Sequence, residues 1–428
     1  MTCVSTRSIK ITSVWRKSAL AVIAVICAIA AGFFTEWGLA ATAADRAADA
    51  EVAVYLTGLA PDDPQIHYKA AVLLDRRFEP GDDEQSLHEY EIATGLAPDN
   101  YLFWLEVGRA RERNGDPTRA ENALRRALEL APNYARVQWA VGNNLLRQGR
   151  TDEAFVEIKK AVTADPTTFA GPAVIAARQF FGEDLNAIKR MLGGPIELDA
   201  ALTSMLIREK RYDEAMEIWN SFPPDEKRAS LRDVGILLAT HLLETKNFRG
   251  AATVLAELGE IDDAPAVGKI GNGGFELAVK PTGAGPFEWN IAPGMQPQIV
   301  LSNGQKHSGN NSLLIVFNSK DGKEFRTITQ LVPVEPNRYY ELEMFVRADV
   351  KSPAVFKWEV VDAGDGHPIA VSDPIINGSN WMPLRIKFQS STTDGVVIRF
   401  LRDNCGGVCS VVGNIGIDDV ALRQTDHE

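Results

Sequence analysis

The chain has 428 residues, 45% hydrophobic and 24% charged, a globular composition that excludes a largely disordered polymer. Its 45 basic and 57 acidic side chains leave a net charge of −12, so it lacks the basic surplus of a nucleic-acid binder and no nucleic-acid partner is expected. One apolar segment near the N-terminus, with no second, excludes a polytopic membrane protein.

That segment comes first in the chain. Residues 1–17 carry Arg7, Lys10, Arg16 and Lys17 and no acid. Ser18 to Thr35 is free of charge, and as a helix it spans about 27 Å, the lower edge of what crosses a bilayer. Glu36 ends the uncharged run and Trp37 follows where an interfacial aromatic would sit. The expectation is a basic cytoplasmic tail over 1–17 and a transmembrane signal anchor over 18–37, single-pass in the inner (cytoplasmic) membrane, with the bulk of the chain on the periplasmic side. The alternative is a signal peptide cut after Ala41-Thr42-Ala43, which releases a secreted chain. Of the four cysteines, Cys405 and Cys409 form Cys-Gly-Gly-Val-Cys. In an oxidising compartment they can pair across a tight loop, worth on the order of 2 kcal/mol. Free thiols, or a metal site completed by other ligands, are the alternatives.

From residue 44 to 262 the pattern is helical and periodic. Leu-Ala-Pro recurs at Pro61, Pro98 and Pro132, and Ala-Asp-Pro follows at Pro166, at intervals of 37, 34 and 34 residues. Between the prolines stand Trp104, Val107, Gly108, Ala120, Leu124 and Ala127, then Val141, Gly142, Leu145, Ala154, Ile158 and Ala161. This arrangement resembles the tetratricopeptide repeat family, whose units are antiparallel helix pairs. Small residues mark the close approach of the two helices, and a proline ends the second. Pro117 and Thr151 read as helix starts. Arg211–Trp219 and Phe248–Leu255 read as second helices of looser repeats, for about six helix pairs in all. Single pairs cannot bury their own apolar faces, so stacking stabilises them. The resemblance implies protein partners, held on the face lined by first helices. There Leu105, Arg109, Glu112, Arg113, Trp139, Asn143 and Arg147 are expected, with Arg109, Arg113, Trp139, Asn143 and Arg147 as a groove for an extended peptide or its carboxylate. A plain solvated charged face is the alternative.

After a linker over 263–270 the texture changes. Tyr340, Leu342, Met344 and Val346 alternate with polar residues, as do Phe356, Trp358 and Val360, and Met382, Leu384, Ile386 and Phe388. Period-two runs broken by Gly, Asn and Pro predict an antiparallel β-sandwich of eight to ten strands over 271–425. The glycines at 271–274 are expected to lead into a strand. The fold class is thus multidomain, α then β: an N-terminal transmembrane helix, an α-solenoid of helix pairs, and a β-sandwich.

The ordered motifs Gly271-Asn-Gly-Gly-Phe-Glu276, His307-Ser-Gly-Asn-Asn-Ser312, Trp381-Met-Pro-Leu and Ile417-Asp-Asp-Val-Ala-Leu422 resemble carbohydrate-binding modules of the galactose-binding-like jelly-roll class. The resemblance implies core or strand-closing roles for Phe275, Ser312, Leu314, Trp381 and Val420. It also implies a structural Ca²⁺ held by Glu276 and Asp418 with backbone oxygen near Asn272, hard oxygen donors that suit this ion. No other cofactor is required. It implies polysaccharide binding, for which the polar strand faces offer Arg326, Gln330, Phe345, Arg347, Lys357, Glu359 and Arg399; a sandwich used for protein contacts alone is the alternative. Charge is abundant and exposed aromatics are few on these faces, which suits a charged polysaccharide better than cellulose. The six histidines are scattered, with no His-Glu-x-x-His, no Gly-x-Ser-x-Gly and no phosphate-binding loop. The expectation is a non-catalytic envelope scaffold that assists polysaccharide assembly or export.

Overall fold

The structure is a computed structural model that describes residues 13–77, 79–261, 267–403 and 408–426. Most of the expected basic tail, much of the expected linker and Cys405 lie outside the described residues. The chain divides into two compact units, one ending at Asp199 and one beginning at Ala200.

The first unit is helical. It begins with α1 (Val14–Arg46), whose stretch Val14–Gly32 is long and apolar enough to cross a membrane, with a mean hydropathy of 1.8. There follow α2 (Ala50–Leu59), α3 (Pro64–Arg77), α4 (Asp82–Leu96), α5 (Tyr101–Arg113), α6 (Pro117–Leu130), α7 (Ala135–Arg147), α8 (Thr151–Ala164), α9 (Pro166–Phe181) and α10 (Leu185–Leu192). Packing is strongest within the pairs α3/α4, α5/α6 and α7/α8. The small residues act at the helix crossings. A methyl on Gly108 would meet the Leu124 side chain at 2.6 Å, and one on Gly142 would meet Ile158 Cγ1 at 2.7 Å. Ala120, Ala127, Ala154 and Ala161 are fully buried. Gly115 and Gly149 occupy equivalent turns, both with φ of 77°, a left-handed conformation that glycine adopts without penalty. Asp116 then caps α6 by accepting the Arg119 N–H at 2.9 Å.

A further periodic device joins α3, α5 and α7 each to the turn before it. The residue six places after each Leu-Ala-Pro proline donates a side-chain N–H to that proline's carbonyl. Trp104 Nε1 reaches Pro98 O at 2.7 Å, Gln138 Nε2 reaches Pro132 O at 2.7 Å, and His67 Nε2 reaches Pro61 O at 3.0 Å. His67 Nδ1 meanwhile lies 2.5 Å from Glu89 Oε2, and both side chains are buried.

The second unit opens with α11 (Ile196–Arg208), which begins just before its boundary, then α12 (Tyr212–Ser221), α13 (Pro224–Ala229), α14 (Arg232–Glu244) and α15 (Phe248–Leu258). Ten strands follow: β1 (Asn290–Ile291), β2 (Gln298–Ser302), β3 (Ser312–Ser319), β4 (Ile328–Pro333), β5 (Tyr339–Lys351), β6 (Phe356–Asp362), β7 (Pro368–Val371), β8 (Gly378–Gln389), β9 (Gly395–Arg402) and β10 (Val411–Thr425). They form two five-stranded antiparallel sheets, β1-β4-β9-β6-β7 and β2-β3-β10-β5-β8. Alternation sends Ile315, Leu342, Met344, Trp358, Val360, Ile386, Ile398, Phe400 and Ile415 into one core between the sheets. Met382 departs from the expected inward set and is exposed. The helices of this unit join the sandwich through Asp394, at the start of β9. Its carboxylate accepts the Phe248 and Arg249 N–H groups at 2.9 and 3.0 Å, capping α15.

The glycine-rich opening of the sandwich forms a turn rather than the expected strand lead-in. Gly273 O accepts the Val420 N–H at 3.0 Å, and Phe275, at φ 54°, buries its ring against Trp289 with centroids 5.4 Å apart. Only a residue without a side chain fits at 273, so the segment bends over β10 instead of pairing as a strand.

Candidate functional site

On the helical unit, the residues expected to line a peptide groove are engaged by their neighbours: Arg113 and Arg147 through ion pairs to the preceding repeat, Arg109 through one within α5. Leu105 is buried and lines nothing. Arg113 meets Asp75 Oδ2 at 2.6 Å, Arg109 meets Glu106 at 3.1 Å, and Arg147 meets Glu112 at 3.4 Å. Asn143 donates to Trp139 O at 3.0 Å, and Trp139 packs on Phe169 with centroids 5.1 Å apart. Asp75 also accepts the Tyr90 hydroxyl at 3.0 Å. Burial pushes the Glu106 carboxyl up, although Arg109 and Arg113 oppose the shift. This face therefore offers compensated charge and aromatic rings rather than a cluster of bare cations.

On the sandwich, the seven side chains proposed for glycan contact do not converge. Most belong to the first sheet. Glu359 and Arg399 face each other across β6 and β9 as an ion pair, and Lys357 pairs with Asp403 at 3.0 Å. Arg326 Nε donates to Ala292 O at 2.9 Å, tying the loop before β2 in place. Gln330 shares the inward face of β4 with Ile328 and Val332 and is buried. Its Nε2 donates to Gly271 O and Phe287 O at 2.9 and 3.0 Å. It is a core amide that holds the N-terminal segment of the sandwich, and its polarity pointed to the wrong face.

Phe345 and Arg347 lie instead on the outer face of the second sheet, and there an aromatic group assembles. The His307 ring stacks on Phe345, centroids 3.7 Å apart and 10° from parallel. Trp381 meets His307 nearly edge-on, with centroids 6.0 Å apart and planes at 62°. Gly416 of β10 supplies bare backbone beneath Trp381, since a methyl there would lie 2.9 Å from the indole Cη2. Arg347 sits opposite Gly416 in register, and Phe345 sits opposite Asp418. Of the residues implied for core or strand-closing roles, Phe275, Ser312 and Val420 are buried, Leu314 is half-buried, and Trp381 is a half-exposed residue on the outer face. Among the described residues Arg347 makes no ion pair. His307, Trp381 and Gly416 were missed in the sequence as site residues.

A β-bulge builds the site's polar side. Successive strand residues normally point to opposite faces. The register of β10 against β5 shifts between Asp418 and Ala421, and Asp419 adopts φ 48°. Both carboxylates thereby reach the same loop, as bulges re-aim side chains. Asp418 Oδ2 accepts the His307 and Ser308 N–H groups at 2.8 and 3.2 Å. Asp419 accepts His307 Nδ1–H at 2.6 Å through Oδ2 and the Ser308 hydroxyl at 2.8 Å through Oδ1. Burial pushes the Asp418 carboxyl up, against three backbone N–H donors that pull it down.

The residues implied for calcium are spoken for by the protein. Glu276 Oε1 accepts the Asn310 and Asn311 N–H groups at 2.7 and 3.1 Å, which hold its carboxyl below the ordinary value. The Asn272 side chain closes on the Leu277 backbone through Oδ1 and Nδ2 at 3.0 and 2.9 Å. Among the described residues no group of three or more His, Cys, Asp or Glu stands where it could hold a metal. Calcium takes six to eight oxygen donors, and N–H groups aimed at the same oxygens do not fit that shell. Cys409 is buried, while its expected partner Cys405 falls outside the described residues.

Comparison with known proteins gives the following. The family model for the tetratricopeptide repeat matches residues 108–167. No curated protein matches the chain. Among solved structures, a CBM4 protein is 14% identical, covering 36% of this chain and 99% of that chain, with a TM-score of 0.28. The CBM22-1 xylan-binding domain from Paenibacillus barcinonensis is 12% identical, covering 33% and 87%, with a TM-score of 0.24. A thermophilic TPR protein of Thermus thermophilus is 25% identical, covering 31% and 71%, with a TM-score of 0.27. Residues 108–167 thus match the tetratricopeptide repeat, and a two-sheet antiparallel sandwich follows later in the chain.

Proposed function

We propose that the protein is a non-catalytic, membrane-tethered scaffold that holds protein partners on its helical repeats and a polysaccharide on its sandwich, assisting polysaccharide assembly or export. The observation that carries the sugar half is the group Trp381, His307 and Phe345 beside Arg347 on the outer face of the second sheet. Aromatic faces take the C–H faces of sugars, and flanking polar groups take the hydroxyls. Repeat domains present extended surfaces to protein segments, which supports the protein half. The apolar helix Val14–Gly32 supports the tether, with the remainder exported and Cys405 and Cys409 in an oxidising compartment.

A glycan array probed with the full chain in detergent tests the sugar reading, and binding to at least one polysaccharide is expected. Absence of any binding, with crosslinked protein partners on both units, would favour a purely structural adaptor. A reporter fused to the C-terminus and active only outside the cytosol tests export.

A further inference from the structure

We infer that His307 is itself a ligand-contacting residue of the sugar site, presenting Nε2 as a hydrogen-bond acceptor to a pyranose hydroxyl, with Asp419 as the positioning residue that fixes its tautomer. The inference rests on the reading of the second sheet's outer face as the glycan site.

The chemistry follows from what surrounds the ring. A carboxylate oxygen has only lone pairs to offer, so the 2.6 Å approach of Asp419 Oδ2 places the proton on Nδ1. In the neutral ring Nε2 then carries a lone pair. Among the described residues nothing donates to it, and the side chain is 32% exposed. The ring cannot turn away. It lies flat on Phe345, meets Trp381 at its edge, and its backbone N–H is held by Asp418. Asp419 is in turn held by the Ser308 hydroxyl and by the bulge in β10. An oriented acceptor beside an indole selects a group that donates. Sugar hydroxyls donate, whereas carboxylate and phosphate oxygens do not. The ligand class is therefore a pyranose with a free hydroxyl at the edge of the ring that rests on Trp381. Any acidic substituent of the polymer would lie away from His307, and Arg347, which makes no ion pair among the described residues, is a cation on the same face to receive it.

The test uses the full chain, labelled with ¹⁵N-histidine in detergent, with His307→Gln to assign the resonance. Long-range ¹H–¹⁵N correlation should show the Nδ1–H tautomer at His307, and Asp419→Ala should return it toward the Nε2–H form. An Nε2–H ring in the unmodified protein overturns the inference, whatever it binds. Affinities are then measured for soluble xylan, β-glucan and alginate. His307→Ala and Asp419→Ala should each weaken the bound polymer about five- to tenfold, the worth of one hydrogen bond. His307→Gln, which keeps an acceptor near the Nε2 position, should stay within about threefold. If Trp381→Ala loses binding while His307→Ala keeps it, the inference fails and the sugar reading stands. If neither these three polymers nor any glycan of the array binds the unmodified chain, both fail.

Discussion

Two adjacent glycines make opposite predictions. At Gly273 an added methyl would fall well inside 3.0 Å of the Val420 carbonyl oxygen and 3.1 Å from its carbon. Both are backbone atoms of β10, so no rotamer relieves the clash. The segments must separate by on the order of 1 Å, since a relaxed carbon–oxygen contact needs about 3.3 Å. That movement breaks the bond from Val420 N–H to Gly273 O. Leaving a buried donor unmet costs about 1–3 kcal/mol, and the strain of the added carbon costs about 1–3 kcal/mol more. The expected loss for Gly273→Ala is about 2–6 kcal/mol, or roughly 5–20 °C in Tm for a unit of this size. At Gly274 the nearest atom to an added methyl is Asp419 Oδ1 at 3.8 Å, an ordinary contact. Gly274→Ala should therefore stay within about 0.5 kcal/mol of the parent. Tryptophan fluorescence during thermal unfolding reads the sandwich through Trp289 and Trp358, both buried in it. If Gly273→Ala melts within 2 °C of the parent (about 0.5 kcal/mol by the same scaling), or Gly274→Ala melts as early as Gly273→Ala, the account of how the Gly-Asn-Gly-Gly-Phe segment closes over β10 is wrong.

Other outcomes follow from single contacts. Burial pulls the His67 pKa down, but Glu89 and the Pro61 carbonyl outweigh it and the net shift is upward from 6.5. The pair's stabilisation is therefore complete below pH 6.5 and fades as pH rises through the folded value; Glu89→Gln should flatten that slope in denaturant titrations, and an unchanged slope would refute the assignment. Asp394→Ala removes the acceptor of the Phe248 and Arg249 N–H groups and should cost about 1–2 kcal/mol, read as a lower midpoint in urea. Because Asp418 and Glu276 accept backbone N–H groups, EDTA should leave the melting temperature where it is; a fall of several degrees, restored by calcium, would show that the loop 307–311 rearranges around an ion.

The helical half was legible because its constraints are local and repeat. Prolines 34 residues apart, and small residues where helices cross, determine helix ends to the residue at Pro117 and Thr151. Even so, the proline locks went unread, because Trp104, Gln138 and His67 share a position and a hydrogen bond but no chemical class. The sandwich was legible as alternation, and that alternation already held the answer for two residues. Ile328 and Val332 point inward and carry Gln330 with them, although polarity alone suggested the surface. Leu384, Ile386 and Phe388 point inward and leave Trp381 outside, although the motif suggested a core or strand-closing role rather than a place on the open face. His307 is different in kind. Its place over Phe345 depends on a bulge more than a hundred residues away, at Asp418 and Asp419. No local pattern near His307 announces it.

The claim on which the account turns is that a sugar polymer rests on the second sheet's outer face. Affinity electrophoresis of the full chain in gels containing the polysaccharide bound on the array tests it directly, with Trp381→Ala run beside the parent. Removing a central indole from such a contact costs about 2 kcal/mol, close to thirtyfold in Kd. The account predicts that the parent is retarded and that the variant, folded by its melting curve, runs free. Equal retardation of the two would contradict it.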